Sequence, residues 1–235
     1  GAAWADPGEE SGAGEAYLVF GKASGFAASV DLGALGAGDG FVLEGIDAGD
    51  HVGISVSTAG DVNGDGYADI LIGAFGAGPG GDETAGETYV VFGKASGFTA
   101  SMELAGLDGT NGFVLEGIDA NDQSGWSVSS AGDVNGDGYD DILIGAFAAD
   151  PDEESGAGET YVLFGKGSGF AASVDLGALD GSDGFVLEGI DAYDYAGYSV
   201  STAGVAAAWA CSSDSSTVFR NQTTPSNPGS STVSK

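Results

Sequence analysis

One feature governs what this chain can fold into: a 72-residue pattern that recurs without a gap from residue 1 to residue 204. YLVFGKASGF at 17–26 returns as YVVFGKASGF at 89–98 and as YVLFGKGSGF at 161–170. GFVLEGIDA starts at Gly40, Gly112 and Gly184 with the same offset. Each unit reads as four short strands separated by Gly and Asp. Tyr-Val-Leu-Phe at 161–164 and Phe-Val-Leu-Glu at 185–188 are branched and aromatic runs bounded by turn residues. Trp-Ser-Val-Ser-Ser at 126–130 alternates with period two, and Asp-Ile-Leu-Ile-Gly-Ala at 141–146 is a short apolar run. No helical periodicity lies between them.

A four-stranded unit that cannot bury both faces alone, repeated head to tail, predicts an all-β chain of β-propeller blades. A β-solenoid is the alternative, but its repeats are shorter. The chain enters the pattern just after the position equivalent to Ile144. Residues 1–50 then form a partial blade, 51–122 and 123–194 two complete blades, and 195–204 a first strand closing on the N-terminal blade. That makes three blades where propellers have about four to eight. Either a second copy completes the ring, as a homodimer, or the repeats belong to a longer array. Residues 205–235 are Ser/Thr-rich, unrelated to the repeat and read as a tail; they carry an Asn221-Gln222-Thr223 glycosylation sequon.

Charge narrows the partners. Asp and Glu number 36 against 5 Lys and Arg, a formal net charge of −31. Such a field repels nucleic acid and anionic membranes, attracts cations, and opposes a compact fold unless something positive is bound. Cys211 is the single cysteine, so no internal disulfide staples the fold. The longest apolar run, 205–211, is far too short for the ~20 residues of a membrane helix. The chain starts at Gly1 with no leader-like segment, so an export signal is expected outside it.

The negative charge is concentrated where it can do chemistry. DVNGDGYAD at 61–69 and DVNGDGYDD at 133–141 place oxygen side chains at loop positions 1, 3, 5 and 9. Calcium takes six to eight oxygens at ~2.3–2.6 Å and tolerates irregular cages. Asp61, Asn63, Asp65 and Asp69 can converge on such an ion, with the Tyr67 carbonyl at position 7 and Gly66 at the sharp turn. Asp133, Asn135, Asp137, Asp141 and the Tyr139 carbonyl repeat the set around Gly138. These are not helix–loop–helix sites, because position 12 is Ile72 or Ile144 where a bidentate Glu would be needed. Magnesium is less suited because it demands octahedral geometry, and zinc because the loops hold no thiolate or imidazole.

The order DVNGDGYDDILIGA, then ETYVLFGK, resembles the FG-GAP repeats of integrin α-chain propellers and their bacterial relatives. The Phe-Gly signature stands at Phe92-Gly93 and Phe164-Gly165, and the second half at Gly73-Ala74-Phe75 and Gly145-Ala146-Phe147, with Phe where that family has Pro. The resemblance covers residues 1–204, although the third acidic loop is missing. It implies that each loop joins the first and second strands of a blade. It further implies that calcium rigidifies one face of the ring while partners bind the opposite face.

Comparing the units with one another locates a second candidate site. Strand residues hardly vary, whereas two loops do: 49–52, 121–124 and 193–196, and the link before the third strand at 6–14, 78–86 and 150–158. Both are expected on one rim, opposite the acidic loops, with Trp4, His51, Tyr193 and Tyr195 as ligand contacts. Enzymatic constellations are weaker. The Gly-Tyr-Ser-Val-Ser at 197–201 is no nucleophile elbow, and His51 is the lone histidine. Gly-rich 76–81 lacks the lysine and helix of a phosphate cradle. Glu9-Glu10 and Glu153-Glu154 read as solvated acidic loops. The expectation is therefore a non-enzymatic, extracellular or cell-surface calcium-binding propeller that recognises a protein or glycan. The alternatives are a calcium-dependent hydrolase on the same scaffold and a purely structural repeat.

Overall fold

The computed structural model describes residues 1–202. It contains no α-helix in that span, only strands and short 3-10 turns. The twelve strands are β1 (Glu15–Val19), β2 (Gly40–Glu44), β3 (Ser55–Gly60), β4 (Asp69–Ala74), β5 (Glu87–Val91), β6 (Ser101–Glu103), β7 (Gly112–Glu116), β8 (Ser127–Gly132), β9 (Asp141–Ala146), β10 (Glu159–Leu163), β11 (Ser173–Asp175) and β12 (Gly184–Glu188).

They form three sheets, in the orders β1-β2-β6, β3-β4-β5-β7-β11 and β8-β9-β10-β12. Within a unit the four main strands pair antiparallel in sequence order, as in a propeller blade. β6 and β11 are additions that the sequence pattern did not reveal. Each leaves its own unit and pairs parallel with the outermost strand of the preceding sheet, β6 on β2 and β11 on β7. Three residues are too few to show a period, so Ser-Met-Glu and Ser-Val-Asp carry no strand signal of their own. The unit boundary is thus interlocked rather than a clean cut.

Strand composition follows from this stacking. The second strand of a blade is covered on both faces, so Asp-Ile-Leu-Ile-Gly-Ala is apolar without alternation, and all six residues of β9 are buried. Leu71, Val90, Phe113, Leu115, Val128, Ile142, Ile144 and Leu163 share the core between the second and third sheets. Ala16, Phe41, Leu43, Ile72, Tyr89, Val91 and Leu104 fill the core between the first and second. Inner strands of neighbouring blades meet closely: Val128 N–H donates to Ser55 Oγ at 3.0 Å. A Cβ added to Gly73 would sit 1.9 Å from the Gly125 carbonyl oxygen, and one on Gly145 2.0 Å from that of Gly197. The glycine of Asp-Ile-Leu-Ile-Gly-Ala is therefore an inter-blade contact.

The recurring Gly-Lys-x-Ser-Gly-Phe segment also has a packing role. Phe170 stacks on Phe113 at 4.2 Å and Phe98 on Phe41 at 4.7 Å, each on the blade before. Lys166 and Lys94 lie over Phe170 and Phe98 at 4.8 and 4.7 Å, holding the only described cations of these units over aromatic faces.

The three sheets do not close into a ring, since no described strand joins the third to the first. Residues 198–202, part of the closing strand expected at 195–204, carry no strand assignment. Their contacts are with the third blade: Ser127 Oγ donates to Gly197 O at 2.7 Å, and Val200 packs on Ala131, Leu143 and Val162. No described strand lies beside 198–202 to pair with it, so the segment carries no ladder. The tail expected at 205–235 lies outside the described residues.

Candidate functional site

The two acidic loops sit where the sequence places them, between the first and second strands of a blade, β3–β4 and β8–β9. A register shift between Thr58 and Gly60, and between Ser130 and Gly132, bends the inner strand into each loop. Gly64, Gly66, Gly136 and Gly138 are all left-handed, which glycine accepts without strain.

Inside the first loop, the carboxylate of Asp61 accepts from the N–H groups of Asp65 and Gly66 at 3.0 and 2.9 Å. Asn63 Oδ1 accepts from Asp65 N at 2.8 Å, and Asp65 Oδ1 from Tyr67 N at 2.9 Å. The second loop repeats these bonds with Asp133, Asn135 and Asp137. The ninth-position aspartates differ from the rest. Asp69 is buried, its oxygens accepting from Val62 N at 3.0 Å and Gly93 N at 2.8 Å. Asp141 does the same with Val134 N and Gly165 N, at 2.7 and 2.8 Å. Burial pushes the Asp69 carboxyl up to about 6, although its amide donors pull it down; burial raises Asp141 likewise.

Each ninth-position aspartate thus ties the loop to the end of the third strand. Tyr139 has a side-chain role beyond any carbonyl donation. Tyr139 packs its ring against Gly64 of the preceding loop and Gly167. The donor set, three carboxylates with an amide and a carbonyl oxygen per loop, suits a hard cation. In this structure the side-chain oxygens are turned to loop amides, and no group of three or more acidic, His or Cys side chains stands at metal-holding geometry among the described residues.

The opposite ends of the strands carry a second constellation. The two variable loops of each unit are hydrogen-bonded to one another. His51 N donates to Gly12 O at 3.0 Å, Gln123 N to Thr84 O at 3.1 Å and Tyr195 N to Gly156 O at 3.0 Å. His51, Asn121, Gln123, Tyr193 and Tyr195 are all left-handed. A non-glycine residue held there costs about 1–3 kcal/mol and persists only where its surroundings enforce it.

Trp4, His51, Tyr193 and Tyr195 stand on this rim, joined by residues that the sequence comparison did not single out. Trp4 and His51 ring centroids are 4.3 Å apart, His51 stacks on Phe75 at 5.0 Å, and Phe75 meets Trp126 at 5.1 Å. Trp126 contacts Phe147 at 4.8 Å, Phe147 contacts Tyr198 and Tyr195 at 5.3 and 5.9 Å, and Tyr195 contacts Tyr193 at 6.2 Å. Eight rings form one continuous row across three units. Its ends are open, Trp4 being 72% and Tyr193 65% exposed. Phe75 and Phe147 occupy the family's proline position, so the departure from that motif builds the row. The available clue was large aromatic side chains at strand ends beside variable loops.

Carboxylates flank the row. Asp119, Asp122, Asp150, Asp152, Glu159 and Glu188 line a cavity of about 490 Å³ beside the third blade. Burial, with Asp119 and Glu159 nearby, pushes the Asp122 carboxyl up to about 7. Burial also raises Glu159, which accepts the hydroxyl of Tyr161.

Blades of four antiparallel strands, acidic loops on one side and an aromatic rim on the other define a β-propeller-type repeat chain. The FG-GAP repeat model matches residues 52–91 and 124–163, the β3–β5 and β8–β10 portions of the two complete blades. The chain thus carries two segments of FG-GAP repeat type, and its relatives include integrin α chains. It is 33% identical over 98 residues to integrin alpha-PS2 of Drosophila melanogaster, which covers 42% of this chain and 7% of that one. It is 31% identical over 128 residues to integrin alpha-3 of Cricetulus griseus, covering 54% and 11%. Phosphatidylinositol-glycan-specific phospholipase D of Bos taurus is 32% identical over 116 residues, covering 49% and 14%. The matches thus span a seventh or less of these relatives.

Proposed function

We propose that this chain is a calcium-stabilised binding module of an extracellular or cell-surface protein, and that it captures a protein or glycan ligand on the aromatic rim. The observation that carries this reading is the continuous row from Trp4 to Tyr193, exposed at both ends and mounted on strained turns that cross-loop hydrogen bonds hold in place. Exposed contiguous aromatic surface mounted on a rigid scaffold marks a recognition face. Calcium in the loops at 61–69 and 133–141 would supply positive charge to a chain of −31 and hold one end of each of the two complete blades without touching the ligand. The similarity to integrin α chains supports both the adhesive role and the extracellular setting.

The test is a glycan and matrix-protein array probed with the whole chain and with a Trp126→Ala/Tyr195→Ala variant whose circular dichroism matches the parent. Loss of the bound spots in the variant is expected; unchanged binding would overturn the rim assignment. A hydrolase reading is favoured by one observation, the match to phosphatidylinositol-glycan-specific phospholipase D. Turnover of phosphodiester or glycoside panels, abolished by chelator, would establish it.

A further inference from the structure

One position on the interlocking strands differs in chemistry from its copy. β6 and β11 occupy the same place in successive units and are built alike. Each runs exposed, half-buried, exposed, and each lies parallel on the strand before it, Met102 beside Leu43 and Val174 beside Leu115. Val42 N donates to Ala100 O at 3.0 Å, and Val114 N to Ala172 O at 3.0 Å. A buried leucine follows each strand, Leu104 in one and Leu176 in the other.

The middle residue is the one that turns inward. Met102 packs on the apolar cluster of Phe41, Leu43, Val91 and Leu104, and Val174 on that of Phe113, Leu115, Leu163 and Leu176. Among the described residues, β6 is the strand ladder by which the second unit grips the first sheet. Met102 is the single methionine of the chain, and the only other sulfur, that of Cys211, lies outside the described residues. A thioether therefore sits, partly open to solvent, in a clamp between two blades. The next clamp holds a hydrocarbon side chain there, which a peroxide does not attack.

We propose that Met102 is an oxidation site, and that its conversion to the sulfoxide releases β6 from β2 while β11 stays on β7. The oxidant is a hydroperoxide. The thioether sulfur gives an electron pair to the outer peroxide oxygen, and the S–O bond forms as the O–O bond breaks. The transferred oxygen passes its proton to the departing one, which leaves as water or an alcohol. Sulfur is thereby oxidised by two electrons and the peroxide reduced. The product sets a polar oxygen against an apolar cluster, and a three-residue ladder has few hydrogen bonds to offset that. Methionine sulfoxide reductases reverse the step, so the clamp can be opened and closed again.

The experiment treats the whole chain with hydrogen peroxide, maps the modified peptide by mass spectrometry and follows hydrogen exchange. Oxygen is expected on Met102. Exchange over 40–44 and 101–107 is expected to quicken about tenfold or more, since an unpaired polar group in an apolar site costs at least that much. Exchange over 173–179 should stay as it was. Treatment with methionine sulfoxide reductases A and B should restore the slow exchange, which damage elsewhere in the chain would not allow. Met102→Leu keeps the apolar volume and is expected to fold like the parent and to be indifferent to peroxide. The proposal is overturned if Met102 stays reduced in the folded chain under conditions that oxidise it in urea. Sulfoxide at Met102 with unchanged exchange over 40–44 and 101–107 overturns it too, as does equal acceleration in the Met102→Leu protein. Rim recognition is independent of these outcomes.

Discussion

The Asp140 carboxylate reaches across the blade boundary and accepts the backbone N–H of Asp61 at 2.8 Å. Asp140 N in turn donates to Asp61 O at 3.3 Å, and Lys166 N to Val62 O at 2.9 Å. The second acidic loop is thereby docked onto the first. The two loops differ in sequence at this point only, Ala68 in one and Asp140 in the other. Asp140→Ala is expected to cost about 1–3 kcal/mol in urea unfolding, since it leaves the Asp61 amide without its acceptor. Asp140→Asn, which keeps an acceptor oxygen, should lose less; equal losses would show that charge rather than the hydrogen bond matters.

Calcium dependence is what the proposed loop sites predict. An ion bound only by the folded form stabilises it by about 2.7 kcal/mol at a hundredfold excess over Kd. Melting should therefore shift downward when EGTA replaces calcium, and Asp137→Ala should lower the melting temperature even at saturating calcium. Identical melting curves in calcium and chelator would remove calcium from the account.

The buried carboxyl of Asp122 makes stability fall as pH rises. Burial raises its folded value to about 7 from the usual 3.8, so the folded form holds a proton that the unfolded chain has released throughout that interval. The stabilisation from this group is complete below about 3.8 and gone above about 7. Asp122→Asn, which mimics the protonated side chain, is expected to raise the melting temperature at pH 8 and to flatten its decline between pH 5 and 8, measured in chelator. A parallel profile for the variant would assign the slope to other groups.

Glycine in the second strand is a packing requirement. A methyl on Gly73 would stand 1.9 Å from the Gly125 carbonyl oxygen, a backbone atom that cannot swing aside. Gly73→Ala is expected to destabilise by about 3 kcal/mol or more. A Cβ on Gly132, left-handed but with nothing within 4 Å, pays for conformation alone. Gly132→Ala should cost about 1 kcal/mol, and denaturant titration of the pair distinguishes the two causes.

The four-strand unit and the acidic loops were legible because both are written in local patterns repeated at one spacing. Asp141–Ala146 is a strand with the same bounds in sequence and structure, since an apolar run between an aspartate loop and a glycine has one compatible conformation. The ninth-position aspartates were legible as loop closers, but their burial against the Gly93 and Gly165 amides was not, because those partners lie 24 residues away. The aromatic row was half legible. Variation between units pointed to Trp4, His51, Tyr193 and Tyr195, whereas Phe75, Trp126, Phe147 and Tyr198 join them only through the stacking of three blades.

By itself the sequence determined the blade, its strand order and the chemistry of its turns, because hydrogen bonding between neighbouring strands depends on residues close along the chain. Tertiary structure alone decided how blades interlock. β6 and β11 find their partners on the preceding sheet, 198–202 packs against the third blade, and Asp140 rests on Asp61. Those outcomes depend on which backbones approach closely across the stack, and such approaches have no local signature.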